Sequence, residues 1–423
     1  MGFKLRPGTS VFGNVTFTPG TNENYVAPAP ATTTSPEPAP APSAKWVVVG
    51  VPYDNGEMGS VYVYDATDLS AQPTKLTAFD AAGGDKFGWS VASTNDKIIV
   101  GAYNDDDGPT GPSSYLSNSG SVYVFDANDL SAQPTKLTAF DVAMHSWFGW
   151  SVSAFDDKIV TGARNDGVAA EGAVYVYDAN DLSAQPTKLT AFDGAGGDTF
   201  GYSVASTNDK IVVGTYGDDD GGANSGSVYV YDATDLTSQP TKLLPTDIAA
   251  NDFFGLSVAS FGDMIVVGSP NDDDDVTNSG SVYVYDATDL TSQPTKLTAF
   301  DAAVGDKFGW SVASINDKIV VGARDDQDNG TQSGSVYVYD ANDLSAQPTK
   351  LTAFDGAADD FFGKSVAAFD DKIIVGSYKD DDNGDRSGSV YVYDANDLSA
   401  QPTKLTAFDG GEYDQYGKSV AIG

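Results

Sequence analysis

A dipeptide, Phe-Gly, punctuates the chain at residues 87, 148, 200, 254, 308 and 362, and returns as Tyr416-Gly417 near the C-terminus. By subtraction of those positions the intervals are 61, 52, 54, 54, 54 and 54 residues. A fixed period of this size is the signature of a solenoid, an array or a propeller. The unit is clearest from Phe308 to Phe354, FGWSVASINDKIVVGARDDQDNGTQSGSVYVYDANDLSAQPTKLTAF, and nearly everything after residue 44 is another copy of it.

Each copy holds four strand-like runs separated by turn residues. Strand A is FGxSVA. A tight turn such as Asn95-Asp96, Asp156-Asp157 or Gly262-Asp263 leads into strand B, for instance Lys318 to Gly322. A longer acidic loop precedes strand C, GSVYVYD, in which Val336 and Val338 face one way and Tyr337 and Tyr339 the other. Strand D is the TKLTAF run, with Pro348 just before it, where no ladder hydrogen bond is lost.

Both faces of strand C are apolar or aromatic, so each small sheet needs cover on both sides. Four-stranded sheets arranged around an axis supply that cover, which predicts an all-β propeller. Strand B begins at residues 46, 98, 159, 211, 265, 319 and 373, giving seven blades. The chain stops just after a strand A, at Ile422-Gly423, while the repeats open with a strand B at Trp46. The last strand is therefore expected to complete the first blade and hide both sheet edges.

FGWSVAS, KIVVGA and GSVYVYD in this order resemble the FG-GAP repeat, the propeller unit of integrin α-subunit heads and of many bacterial and phage proteins. The resemblance covers residues 45 to 423. It departs at the A to B link: the family often places a DxDxDG calcium loop there, and this chain has only turns such as Thr94-Asn95-Asp96-Lys97. Calcium sites are not carried over to those positions.

Two segments precede the ring. Residues 1–24 form an arm in which Val15 and Phe17 alternate with threonines before Pro19-Gly20; with Phe3 and Leu5 they are the anchor candidates. The arm could add a strand to a partner protein's sheet, or be a loose terminus. Residues 25–44, a Pro/Ala/Thr tract, read as an extended spacer of about 3 Å per residue. The N-terminus shows no apolar run of signal-peptide length, and no segment is long and apolar enough to insert in a membrane as a helix.

The net charge of -37 argues against a nucleic-acid partner, because phosphate binding needs basic patches. The absence of cysteine removes disulfides and thiolate chemistry. Carboxylates concentrate in the B to C loops, where Asp105, Asp107, Asp218, Asp220, Asp273, Asp275, Asp326, Asp328, Asp380 and Asp382 are candidate calcium ligands. Solvated acidic loops that keep the ring soluble are the other reading. Aspartates of the D to A links, such as Asp301 with Asp306, suit turn capping. Departures from the repeat mark candidate binding residues: Tyr103, Tyr115, Trp147, Arg164, Arg324 and Arg386.

Only one histidine, His145, is present, so no repeated histidine site exists. Near-identical loops also give paired carboxylates near-identical environments, which disfavours a catalytic pair. The sequence thus points to a non-enzymatic binding or structural protein. The expected setting is a virion surface or tail, of a phage, with the arm docked in the particle and the propeller meeting a host-surface protein or glycan. A secreted or cell-surface calcium-dependent adhesin and a propeller glycoside hydrolase are the alternatives.

Overall fold

A computed structural model describes residues 45–108, 111–112, 117–141, 143–207, 209–273 and 276–423. The arm and spacer, with Phe3, Leu5, Val15 and Phe17, lie outside the described residues.

Seven sheets of four antiparallel strands follow one another along the chain. In the sixth, strand A (Phe308–Ile315) pairs with B (Lys318–Ala323), B with C (Ser335–Asp340) and C with D (Thr349–Leu351). The first blade has strands B (Trp46–Val51), C (Ser60–Asp65) and D (Thr74–Leu76), and takes its strand A, Ser419–Ile422, from the other end of the chain. Val47 stands opposite Ile422 and Gly50 opposite Ser419. The N–H groups of Lys45 and Trp46 both donate to the Gly423 carbonyl at 2.9 Å. The expected closure is therefore the one observed.

Strand D is shorter than the TKLTAF run suggested. Only Thr-Lys-Leu pairs, as in Val336 opposite Leu351 and Val338 opposite Thr349. The chain has to leave the sheet edge early because Asp355, four residues on, bonds Tyr391 of the next blade. Phe354 is left about half exposed by the same departure.

No blade has a core of its own. The apolar clusters lie between blades, each made from the valine face of one sheet and the tyrosine face of the next. Between the fifth and sixth blades, Val266, Val282 and Leu297 meet Val321, Tyr337 and Tyr339. Between the seventh and first, Ile374, Val390 and Val392 meet Val47, Val49, Tyr62 and Tyr64. The landmark Phe of each unit is fully buried, edge-on to the first tyrosine of strand C; Phe308 and Tyr337 have centroids 5.3 Å apart. Such a pair adds about 0.5–1.5 kcal/mol beyond its buried area.

A circuit of hydrogen bonds explains the rest of the motif. The serine of FGxS donates to the carbonyl of the landmark glycine one blade ahead: Ser90 to Gly149, Ser151 to Gly201, Ser203 to Gly255, Ser257 to Gly309, Ser311 to Gly363 and Ser365 to Gly417. Ser419 donates to Gly88 and closes the circle. Strand B must be a glycine where it passes this bond. A Cβ on Gly322 would lie 2.1 Å from the Gly363 oxygen and 2.3 Å from Ser311 Oγ, distances no side chain tolerates.

Removal of residues 418–423 takes away one strand and one bond of the circuit and exposes the strand-B edge of the first blade. The cooperative melting transition should be lost or fall steeply, by circular dichroism; an unchanged curve would refute the closure.

Candidate functional site

The B to C loops and D to A links share one rim, because single tyrosines reach both. The Tyr337 hydroxyl donates to Asp301 from a D to A link at 2.7 Å and to Asp326 from a B to C loop at 3.0 Å. The strand-D lysine completes the group. Lys350 Nζ lies 2.7 Å from Asp301, 2.9 Å from Asp326 and 2.6 Å from Asp328. Lys404 repeats this with Asp355, Asp380 and Asp382, and Lys242 with Asp193, Asp218 and Asp220. Lys136 joins Asp80 and Asp105, while Lys75 joins Asp54 and Asp409.

Lysine thus supplies from within the chain the positive charge these carboxylates need. Burial raises the carboxyl of Asp301, but the hydrogen bonds from Lys350 and Tyr337 outweigh it and hold the group below the ordinary range. Asp105, Asp218, Asp326 and Asp380 are buried; Asp220, Asp328 and Asp382 are the more exposed third members. Asp273 is exposed at the surface, and Asp275 lies outside the described residues. Asp107 is in a two-residue strand, Asp107–Gly108. Among the described residues no three His, Cys, Asp or Glu side chains converge as metal ligands. An ammonium at 2.6–2.9 Å from the same oxygens is a poor companion for a divalent ion, so calcium does not fit the lysine-filled groups.

The second aspartate of the D to A link caps a turn in six of the seven links, Ser146 standing at that position in the other. Asp85, Asp306 and Asp360 accept the N–H three residues before them, from Ala82, Ala303 and Ala357. Burial is the largest influence on them. It pushes Asp85 up to about 7 and Asp306 and Asp360 up to about 6; neighbouring carboxylates add to it and the turn amide opposes it.

Inside this acidic rim the centre of the ring is of opposite character. The residue after each landmark glycine lines the channel: Trp89, Trp150, Tyr202, Leu256, Trp310, Lys364 and Lys418. A second set comes from the end of strand B, with Tyr103, Arg164, Tyr216, Arg324 and Tyr378. A third comes from the residue before each landmark Phe, including Trp147, Phe253 and Phe361. All seven residues at this third position have left-handed backbones, from φ 57° at Phe361 to 62° at Lys86 and Thr199. Such geometry is costly for side chains other than glycine, more so for β-branched threonine.

The rings and cations interlock. Arg164 sits 3.9 Å above Trp150 and 4.5 Å above Trp147, and Tyr103 packs 4.9 Å from Trp150. Arg324 lies 3.3 Å above Trp310, Lys364 lies 4.6 Å above the same ring, and Lys379 lies 4.0 Å above Phe361. Lys418 bridges Trp89 and Tyr378. Burial, then the nearby Arg324, Lys379 and Lys86, pull Lys418 down to about 8.

Four binding candidates, Tyr103, Trp147, Arg164 and Arg324, are therefore brought together at this mouth. Arg386 is apart, exposed beside Asp385, and Tyr115 lies outside the described residues. Sequence reasoning missed Trp89, Trp150, Tyr202, Trp310, Lys364 and Lys418. The available signal was the x of FGx, which changes from copy to copy while its neighbours do not.

Comparison with known proteins places this geometry. The FG-GAP repeat family model matches residues 71–125, 132–177, 184–231, 237–285, 291–339 and 346–393. Human integrin alpha-6 (Homo sapiens) is 30% identical over 202 residues, which cover 42% of this chain and 17% of that relative. The chain thus spans less than a fifth of that protein's length.

Two outcomes follow from the charges on the rim. Lys350→Met leaves the buried Asp326 uncompensated and should cost about 3 kcal/mol in denaturant unfolding, while a calcium chelator should leave the melting temperature of the parent chain unchanged. A mild Lys350→Met effect or a large chelator effect would contradict the internal-cation reading. The second concerns pH. Carboxyls raised in the folded state from about 4 contribute stability that is full below pH 4 and is lost as pH rises through 6 to 7. The depressed group at Asp301 loses its contribution only when pH falls below about 4. The melting temperature should therefore decline from pH 5 to 8, and Asp306→Asn, which keeps a turn acceptor, should flatten that decline.

Proposed function

The chain belongs to the FG-GAP repeat family, and on that premise we propose that it is a non-enzymatic binding head whose ligand docks at the channel mouth on the acidic rim. The observation behind this reading is where the copies differ. Strand C is SVYVYD in five blades, and strand D is Thr-Lys-Leu in all seven. At the mouth, by contrast, the position after the landmark glycine holds Trp, Tyr, Leu or Lys. Drift at a solvent-facing position favours small polar residues; large aromatics and cations in contact are what recognition anchors are made of.

Catalysis has no support in the same place. The channel lining consists of Trp, Tyr, Leu, Lys, Ser and Val side chains, whereas a glycoside hydrolase works with two carboxylates flanking the bond. The proposed setting is display on a virion surface or tail, with residues 1–24 as the docking arm and residues 25–44 as the spacer; contact is with a host-surface protein or glycan. The Pro/Ala/Thr composition of the spacer supports it.

Arrays of glycans and surface proteins probed with the purified chain test the reading. Binding should be lost in Trp150→Leu with Arg164→Tyr, substitutions that borrow the residues of other blades, and kept by Lys158→Ser on the opposite rim and by a chain lacking residues 1–24. Equal signals from all four, or turnover of the bound material, would overturn it.

A further inference from the structure

The aromatic mouth is already filled by the chain's own cations, and this decides what it can accept. Arg164 covers Trp147 and Trp150, while Arg324 and Lys364 share Trp310. A ligand offering a cation would meet positive charge on those faces.

These cations are short of anions. Lys86 pairs with Glu57, and Arg324 Nε lies 3.3 Å from Asp325. Among the described residues, Arg164, Lys364, Lys379 and Lys418 have no carboxylate within 4 Å, and Arg164 Nε is buried without a hydrogen-bond partner. In a protein with 60 acidic against 23 basic side chains, clustered cations without acidic partners at the centre are the reverse of what composition alone would place there. Mutual repulsion keeps Lys418 below its ordinary range in addition to the effect of burial, and an incoming anion would relieve both.

The walls add a second requirement. The channel has a volume of about 290 Å³, near the lower end of the range of small-molecule sites, which suits one ring-sized group and not a folded segment. The circuit serines line it, and each has its proton committed to a glycine carbonyl. Their lone pairs are left as acceptors for hydroxyl donors. Above them stand the indoles of Trp89, Trp150 and Trp310, which hold the chain's own cations on their faces at the mouth.

We propose that the mouth binds an acidic sugar residue, with its carboxylate taken by Lys364, Lys418 and Arg324 and its hydroxyls directed at the ring of serines. The proposal rests on the binding-head reading and deepens it by naming the ligand class. It is distinct from the lysine–aspartate groups further out, which are satisfied within the chain.

Tryptophan fluorescence provides the test, since four of the five tryptophans, Trp89, Trp147, Trp150 and Trp310, stand at this mouth. The full chain is titrated with glucuronate, glucose, acetate and a diaspartate peptide. Glucuronate should give a saturable change with an apparent Kd about tenfold or more below those of the other three. Lys364→Leu with Lys418→Leu should abolish it. Leu256 occupies the same repeat position in the fifth blade, so these variants should fold, which their melting curves check. No saturable response, acetate matching glucuronate, a tighter diaspartate, or an unaffected double variant would each overturn the proposal. If mouth-dependent array binding survives such a failure, the binding-head reading stands and only the ligand class falls.

Discussion

Each blade presents valines on one face and tyrosines on the other, and neither face leaves water until the neighbouring blade arrives. Everything else in the ring follows from that. A linear stack would leave one valine face and one tyrosine face bare at its ends; the circle removes both. The serine-to-glycine circuit converts this apolar preference into a fixed geometry, because a directional bond crosses every interface at the same radius. One Ser hydroxyl contributes only about 1 kcal/mol, but all seven depend on the same closure.

The same logic runs outward to the rim. Each strand-D lysine clasps an aspartate from its own B to C loop and another from the preceding blade's link, and the strand-C tyrosine beside it bonds one or both. The acidic loops are thereby drawn inward as inter-blade ties, and the large negative charge of the chain is partly neutralised in place. What this ring does not constrain is the axis, where side chains at three repeat positions project toward a common mouth. A framework that is fixed everywhere else can vary there at small cost, and it has done so with aromatics and cations.

Much of the architecture was legible in the residues. The alternation in SVYVYD required two-sided cover, the Phe-Gly spacing gave the number of blades, and the order of strands at the two ends implied a shared first blade. The extent of strand D was not legible, because nothing local distinguishes Leu351, which pairs, from Thr352, which does not. The partners of Asp326 were equally hidden: they are Tyr337 and Lys350, separated from it by 11 and 24 residues, with Asp301 arriving from the other side. Read as a string, DDQD looks like a cation loop; in space a lysine stands among its oxygens.

The sequence by itself determined the repeat, the two-faced strands and the seven-fold count, since periodicity and local geometry are properties of consecutive residues. Only the tertiary structure decided that Trp89, Trp150, Arg324, Lys364 and Lys418 share one mouth. They lie as far as 329 residues apart, by subtraction of Trp89 from Lys418, and what brings them together is the common axis that closure creates. Charge followed the same division: the composition fixed a strongly acidic protein, while the convergence of repeat positions put Lys364 and Lys418, which have no carboxylate within 4 Å among the described residues, at the centre.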